Sequence, residues 1–162
     1  MPRAAAPTPA RFYRPGGWPP EESVGYLMRR VVASIVHQAD GKLGPHGLTS
    51  SQWAPLLQLH KAGRSTVAEL ARCTQVDAGA MTRLLDRLEK KQLCKRTRCT
   101  EDRRVVLVDI TPQGAAAIAE VPAVLAEVLN AHLAGFSKAE WESLKDYLRR
   151  MLDNGQARRH TD

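Results

Sequence analysis

The fold of this chain is decided by residues 65–111, which read STVAELARCTQVDAGAMTRLLDRLEKKQLCKRTRCTEDRRVVLVDIT. Up to Leu93 the apolar residues recur every three or four positions, which is the period of an amphipathic helix. After Leu93 the period becomes alternating and Val-rich, which is typical of strands. The stretch therefore predicts two helices followed by a basic β-hairpin.

Local signals divide this stretch further. Thr66 and Glu69 form a T-x-x-E capping box, which opens a short helix over residues 67–73. Residues 74–76 are the turn, and Asp77 is the N-cap of a helix over residues 78–91. The hairpin has strands at 94–98 and 104–110. The order of helix, turn, helix and basic hairpin predicts a winged helix-turn-helix.

Helices are expected on both sides of this unit. Residues 1–20 are rich in Pro and Gly and predict an irregular arm whose later part packs on a partner subunit. A helix is predicted from about Glu21 to Leu43, and a second from the capping pair Thr49 and Gln52 to Gly63. A long helix from Pro112 to about Leu133 should bend at Pro122. A last helix follows, over residues 138–152.

The predicted fold class is mainly α with a small β-hairpin wing, flanked by dimerisation helices. The expected organisation is an arm at 1–20, a helical dimerisation region at 21–48 and 112–155, a DNA-binding region at 49–111 and a frayed tail at 156–162.

Charge is distributed unevenly along the chain. The net charge is +7 and the sequence pI about 9.7. Residues 64–104 contain 11 Lys and Arg against six Asp and Glu, whereas residues 105–135 contain no Lys or Arg and three acids. A basic segment beside an apolar, mildly acidic one predicts a DNA-facing module joined to a self-association module.

Other features narrow the class of protein. The three cysteines do not form a disulfide framework, which favours a reducing compartment. We expect that no apolar run approaches the length of a membrane span, and the N-terminus has no signal-peptide core, so the expected location is the cytoplasm. No nucleotide-binding or hydrolase motif is found, so we expect neither an enzyme nor a cofactor. The five His are scattered, so no metal site is expected.

The exposed face of the helix at 78–91 suits the major groove. Ala78, Gly79 and Ala80 are small enough for close approach, and Thr82 and Arg83 follow where side chains reach base edges. Cations further along this helix and on the hairpin should meet phosphates or an adjacent minor groove. The predicted DNA-contacting residues are Ser65, Thr66, Gln75, Asp77, Gly79, Thr82, Arg83, Arg87, Lys90, Lys95, Arg96, Arg98, Asp102, Arg103 and Arg104.

The runs DAGAMTRLLDRLEKKQL and EDRRVVLVDITPQG resemble the MarR family of bacterial transcriptional regulators. The most specific part is D-x-R at 102–104 followed by a strand and T-P-x-G at 111–114. By this resemblance Arg104 is the wing arginine that enters the minor groove, and Asp102 is its orienting acid. One departure is Gln92, where the family usually has Gly. A left-handed residue there would be strained by about 1 kcal/mol.

The resemblance also implies function beyond DNA binding. It predicts a homodimer built on the first, fifth and sixth predicted helices, a pseudo-palindromic operator, and a repressor that is released by a small aromatic or phenolic acid. The family's ligand crevice would be lined by Tyr26, Arg30, His37, Trp53, Leu57 and His60.

Two alternatives remain open from the sequence. Cations beside Cys94 and Cys99 favour the thiolate form, so the chain could be a redox-responsive regulator. A winged helix can also serve as a protein-interaction module without specific DNA binding. The positive charge of the helix and hairpin argues for DNA.

Overall fold

The computed structural model describes residues 8–102 and 104–159, with the side chains of residues 46, 158 and 159 left undescribed. The chain forms two compact units, Met1–Val31 with Asn130–Asp162 and Val32–Leu129. The described elements are α1 Val24–Leu43, α2 Ser50–Ala62, β1 Ser65–Thr66, α3 Val67–Thr74, α4 Ala78–Lys90, β2 Cys94–Arg98, β3 Val106–Ile110, α5 Pro112–Ala117, α6 Val121–His132 and α7 Lys138–Arg159. This is the predicted mainly helical fold with a small wing.

The core of the Val32–Leu129 unit is aliphatic. Helices α2, α3 and α4 each bury one stripe, and β3 closes the core from the side of the sheet. Complete burial of each such side chain stabilises the fold by about 1.5–3 kcal/mol. The fully buried members include Leu43, Leu48, Leu56, Leu59, Leu70, Met81, Leu85, Leu88, Val108 and Val121.

The wing is part of a three-stranded antiparallel sheet of order β1-β3-β2. Cys94 pairs with Ile110 and Arg98 with Val106, which is the predicted hairpin. The third strand, β1, was not predicted, and it pairs Ser65 with Val108. The return strand begins at Val106 rather than at residue 104, because the preceding residues form the turn at the wing tip.

The helix predicted from Pro112 to Leu133 is two helices. Residues 118–120 form a turn between α5 and α6. A continuous helix would need a hydrogen bond from residue 122 to Ile118 O, and Pro122 has no N–H to donate. The chain therefore breaks, and Pro122 lies in the first turn of α6, where no donor is needed.

Among the described residues, the stretch Pro112–His132 is long and apolar enough to cross a membrane by length and composition alone. This corrects the expectation that no apolar run approaches that length. A helix covered by protein passes the same test, so the observation is weak evidence for a span. The break at 118–120 also divides the stretch.

The backbone just after α4 is strained at Gln92, the position where the sequence departs from the family's usual glycine. Gln92 has a φ of 59°, in the left-handed region that favours glycine. Its N–H bonds to Glu89 O at 2.8 Å, and the Leu93 N–H bonds to Leu88 O at 2.9 Å. The tight turn that leads from the helix into β2 is therefore formed without a glycine.

The other unit contains the arm, the start of α1 and α7. Residues 8–19 lie outside helices and strands, as expected for an irregular arm. The rings of Tyr13 and Trp18 meet edge to face at 4.8 Å, and Tyr13 Oη accepts from Val24 N–H at 3.0 Å. This hydrogen bond fixes the arm to the first turn of α1.

The last helix is longer than predicted. Ser137 and Glu140 cap α7 as expected, with Glu140 Oε2 accepting from Ser137 N–H at 2.8 Å. The helix continues through Gly155 to Arg159, so the tail expected to fray from residue 156 is helical up to that point. Gln156 and Ala157, which follow Gly155, are good helix formers.

Candidate nucleic-acid interface

The start of α4 is organised by its N-cap. Asp77 Oδ1 accepts from Ala80 N–H at 2.8 Å, which satisfies one of the free donors of the first turn. Burial of Met81, Leu84 and Leu85 fixes which face of the helix is turned inward. The opposite face, with Gly79, Thr82, Arg83, Arg87 and Lys90, is exposed as predicted.

The exposed first turns of α4 are small and polar. A Cβ at Gly79 would lie 3.3 Å from Asp77 Oδ1, so this position has little room for a side chain. Thr82 Oγ1 donates to Ala78 O at 2.9 Å, which leaves the hydroxyl oxygen as an acceptor on the outer face. Arg83 is exposed one residue further on. This surface combines close backbone access with one acceptor and one guanidinium.

The turn before α4 is tight. Gln75 has a φ of 55°, and its N–H bonds back to the end of α3. Its side chain is exposed, as is that of Asp77. The predicted helix-turn-helix geometry is therefore present, with α3 and α4 joined through residues 75–77.

The wing tip is held by its own backbone. Asp102 Oδ1 accepts from Arg104 N–H at 2.9 Å, and Cys99 N–H donates to Val105 O at 2.9 Å. The carboxylate thus orients the backbone at Arg104. Arg104 is exposed and, with Thr66 and Thr82, lines a cleft of about 480 Å³ between wing and helices. Lys95 and Arg98 are also exposed, whereas Arg103 lies outside the described residues.

Two predicted contact residues are placed differently from the expectation. Ser65 is only 8% exposed, because its side chain faces the core from β1, so it offers no surface to DNA. Arg96 is half-buried, and its guanidinium is paired with two acids of α4. Its Nη2 lies 2.7 Å from Glu89 Oε2 and 2.6 Å from Asp86 Oδ1. Its guanidinium is therefore not a free phosphate ligand.

Thr66 is half-buried and serves the cap of α3. Its hydroxyl donates to Glu69 Oε2 at 3.0 Å and accepts from Glu69 N–H at 3.1 Å. Hydrogen bonds from the Thr66 N–H and hydroxyl lower the pKa of Glu69. The capping box was predicted correctly, and it leaves little of the Thr66 side chain for a ligand.

The cysteines differ in reactivity. Burial raises the pKa of the Cys94 thiol to about 11, so this residue is an inert core group. Cys99 is half-exposed in the wing-tip turn, where hydrogen bonds from the N–H groups of Asp102 and Glu101 lower its pKa. These environments therefore do not support a redox response in which Cys94 and Cys99 react as a pair.

The predicted ligand residues are distributed over both units. Tyr26 and Arg30 belong to the unit that contains α7, and His37, Trp53, Leu57 and His60 belong to the other. Trp53 is half-buried, and its Nε1 is buried with no hydrogen-bond acceptor among the described residues. Arg30, His37 and His60 are exposed, while Tyr26 and Leu57 are half-buried.

Sequence reasoning missed several residues that support this surface. Arg64, the residue before β1, donates from Nε to Asp109 Oδ1 of β3 at 2.8 Å. Lys91 Nζ donates to Gly47 O at 2.9 Å and ties the end of α4 to the loop before α2. Such long-range pairs have no signature in spacing.

Comparison with known proteins identifies the family. The family model described as "MarR family" matches residues 48–106. A mutant of MarR from E. coli complexed with operator DNA is 28% identical, with a TM-score of 0.75 over 80% of this chain and 93% of that one. BpsR of Bordetella bronchiseptica is 27% identical, with a TM-score of 0.77 over 85% and 99%. A probable transcriptional regulator from Pseudomonas aeruginosa is 30% identical, with a TM-score of 0.72 over 81% and 98%.

The matched region contains α2 to the start of β3, and the structural similarity extends over most of the remaining helices. The exposed face of α4, the Asp102-supported wing and the winged helix-turn-helix fold agree with this relationship. This chain belongs to the MarR family and is a DNA-binding transcriptional regulator.

Proposed function

We propose that the protein is a homodimeric repressor that binds a pseudo-palindromic operator in the bacterial cytoplasm and is released by a small aromatic acid. One observation carries the DNA-binding part of this proposal. Arg104, on a wing fixed by Asp102, and Thr82, on the exposed face of α4, line the same cleft. A duplex that fills this cleft would meet the helix and the wing together.

The position of each residue on α4 or the wing determines which part of the DNA it contacts. Thr82 and Arg83 read base edges in the major groove, and Gly79 permits the close approach of α4. A bidentate arginine–guanine pair contributes about 1–3 kcal/mol of discrimination. Arg104 enters the adjacent minor groove, where a narrow groove attracts arginine. The phosphates are held by exposed polar and charged groups, namely Gln75, Arg87, Lys90, Lys95 and Arg98. Arg103, which lies outside the described residues, is proposed for the same role from the sequence.

Dimerisation is supported by apolar side chains that the single chain leaves exposed. A contiguous apolar stripe on a helix marks an interaction surface. Residues 21–48 and 112–155 would form the dimer, and residues 49–111 would hold the DNA. The two-fold axis then places half-sites about 10–10.5 base pairs apart. The exposed apolar residues of α1 and α7 are Val24, Leu27, Met28, Val31, Val32, Trp141, Leu144, Tyr147, Met151 and Leu152.

The effector is proposed to be an aromatic or phenolic acid. The DNA binding of BpsR is regulated by 6-hydroxynicotinic acid, which is a member of that chemical class. In this chain the buried Trp53 Nε1 has no acceptor among the described residues, and an oxygen of such an acid would satisfy it. His37, which belongs to the same unit as Trp53, is the candidate partner of the carboxylate.

The DNA-binding proposal is tested by selection. The full-length protein is incubated with random-sequence duplexes at moderate salt, and the retained DNA is sequenced. The proposal predicts an enriched motif with two-fold symmetry and half-sites one helical turn apart. Retention of DNA without any sequence preference would contradict it and would favour the interaction-module alternative.

The effector proposal is tested by thermal shift. Hydroxylated benzoic and nicotinic acids are screened against the wild type and Trp53→Phe, which keeps an aromatic ring and removes the N–H. We expect at least one acid to raise the Tm of the wild type, to raise that of Trp53→Phe less, and to release the selected DNA. No stabilisation by any acid would contradict the proposal.

A further inference from the structure

Arg96 joins the wing to α4 through a dense group of hydrogen bonds. Its backbone N–H donates to Glu89 Oε1 at 2.9 Å, and its Nε and Nη2 donate to Glu89 Oε2 at 3.0 and 2.7 Å. Nη2 also donates to Asp86 Oδ1 at 2.6 Å. One residue of β2 is thus held by two carboxylates from successive turns of α4.

The direction of Arg96 follows from the pleat of β2. Cys94 is buried against α4, and the side chain two residues later lies on the same face of the strand. Lys95, on the other face, is exposed. The strand therefore directs Arg96 towards Glu89 and Asp86, and it directs Lys95 to solvent.

These contacts bias the charge of both partners. Hydrogen bonds from the Arg96 N–H and guanidinium lower the pKa of Glu89, and the acids raise the pKa of Arg96. Glu89 is therefore ionised at neutral pH. Charge-assisted, forked hydrogen bonds of this kind are about twice as strong as neutral ones and fix orientation as well as distance.

We propose that Arg96 is a positioning residue for DNA binding: its clamp on Glu89 and Asp86 sets the wing at a fixed angle to α4, so that Arg104 and Thr82 reach one duplex together. This inference rests on the proposed function. The clamp also neutralises two carboxylates on the helix that lies nearest the phosphates. Arg96 contributes through these neighbours and not through a phosphate contact of its own.

The direction in which Glu89→Ala changes DNA affinity distinguishes the clamp from a direct contact between Arg96 and a phosphate. If Arg96 held a phosphate in competition with Glu89, Glu89→Ala would free the guanidinium and tighten binding. In the clamp, Glu89→Ala releases the wing and weakens binding, although it removes a negative charge from the DNA-binding face. Glu101→Ala removes an exposed acid from the wing tip without touching the clamp, and it controls for the effect of charge alone.

The experiment measures DNA affinity for full-length wild type, Arg96→Ala, Glu89→Ala and the double variant, at a temperature where circular dichroism shows all of them folded. The duplex is one selected by the wild type from random sequence. We expect Arg96→Ala to weaken binding about tenfold in the wild type and less than about threefold in the Glu89→Ala background. Lys95→Ala, an exposed cation of the same strand, should weaken binding equally in both backgrounds.

Several outcomes would overturn the clamp. These are tighter binding by Glu89→Ala than by Glu101→Ala, an equal effect of Arg96→Ala in both backgrounds, or a lower Tm of Arg96→Ala with unchanged affinity. A fall in the salt slope of about 0.9 on Arg96→Ala would reveal a direct phosphate contact instead. Failure of the wild type to select any DNA would contradict the proposed function itself and is distinguishable from these results.

Discussion

Thr111 Oγ1 donates to Gln92 O at 2.6 Å and accepts from Gly114 N–H at 2.9 Å. A single hydroxyl therefore caps α5 and holds the carbonyl of the left-handed residue that ends α4. The Thr111 N–H also donates to Leu93 O at 3.2 Å. Thr111, which follows β3, therefore holds the turn between α4 and β2 by hydrogen bonds to Gln92 O and Leu93 O. These bonds explain why the turn is kept although it has no glycine.

Gln92→Gly should raise the free energy of unfolding by about 1 kcal/mol, because glycine adopts the left-handed conformation without a Cβ clash. Chemical denaturation measures the change. Gln92→Ala keeps the Cβ and removes only the amide, so its stability should stay close to that of the wild type. An equal gain in both variants would show that backbone strain is not the cause.

Gly114→Ala should destabilise the protein by about 3 kcal/mol, since a Cβ there would collide with the backbone oxygen of Leu93. The contact is with backbone, so no side-chain rotation relieves it. Gly41→Ala, in an exposed position of α1 where a Cβ meets no atom within 4 Å, should stabilise slightly. Equal denaturation midpoints for Gly114→Ala and the wild type would refute the close approach.

Cys99 should react with a thiol reagent at neutral pH much faster than Cys94. Because the pKa of Cys99 is lowered, a larger fraction of its thiol is ionised at a given pH, whereas Cys94 is buried and has a pKa of about 11. A Cys73→Ser background removes the third thiol, and mass spectrometry locates the label. Modification of Cys94 first would contradict this assignment. Loss of DNA binding on Cys99 labelling, but not in Cys99→Ser, would support a thiol-responsive wing.

Tyr147→Glu should dissociate the proposed dimer, because it places a charge in the exposed apolar stripe of α7, where Tyr147 is 56% exposed. Sedimentation at a series of concentrations measures the monomer–dimer equilibrium. Arg149→Glu makes a larger charge change on the same helix and removes only a surface ion pair with Asp146, which contributes little. Equal dimer affinity in the two variants would place the interface elsewhere.

The parts of the fold that were predicted from sequence are those with local causes. Asp77 caps α4 and Thr66 caps α3 because each side chain needs only a backbone N–H three residues away. Strand β2 ends where its alternation ends. Strand β1 has two residues, which is too short for any alternation, so it could be found only from its pairing with Val108.

The parts that sequence reasoning missed depend on distant partners. Arg96 and Lys95 are adjacent cations, and nothing in their spacing shows that one faces Glu89 and the other solvent. Ser65 was expected to contact DNA, but its pairing with Val108 in the sheet turns its side chain inward. Pro122 was expected to bend a helix, and its position relative to Ile118 breaks that helix instead.

The most direct test of the account is the affinity of Arg104→Ala for the selected duplex, measured over a range of salt concentrations. We expect affinity to fall about 100-fold, with an unchanged dimer and an unchanged Tm, because the Arg104 side chain is exposed and the bond to Asp102 is made by its backbone N–H. Arg149→Ala, on α7, should bind like the wild type. Wild-type affinity in Arg104→Ala at moderate salt would contradict the assignment of the wing to DNA.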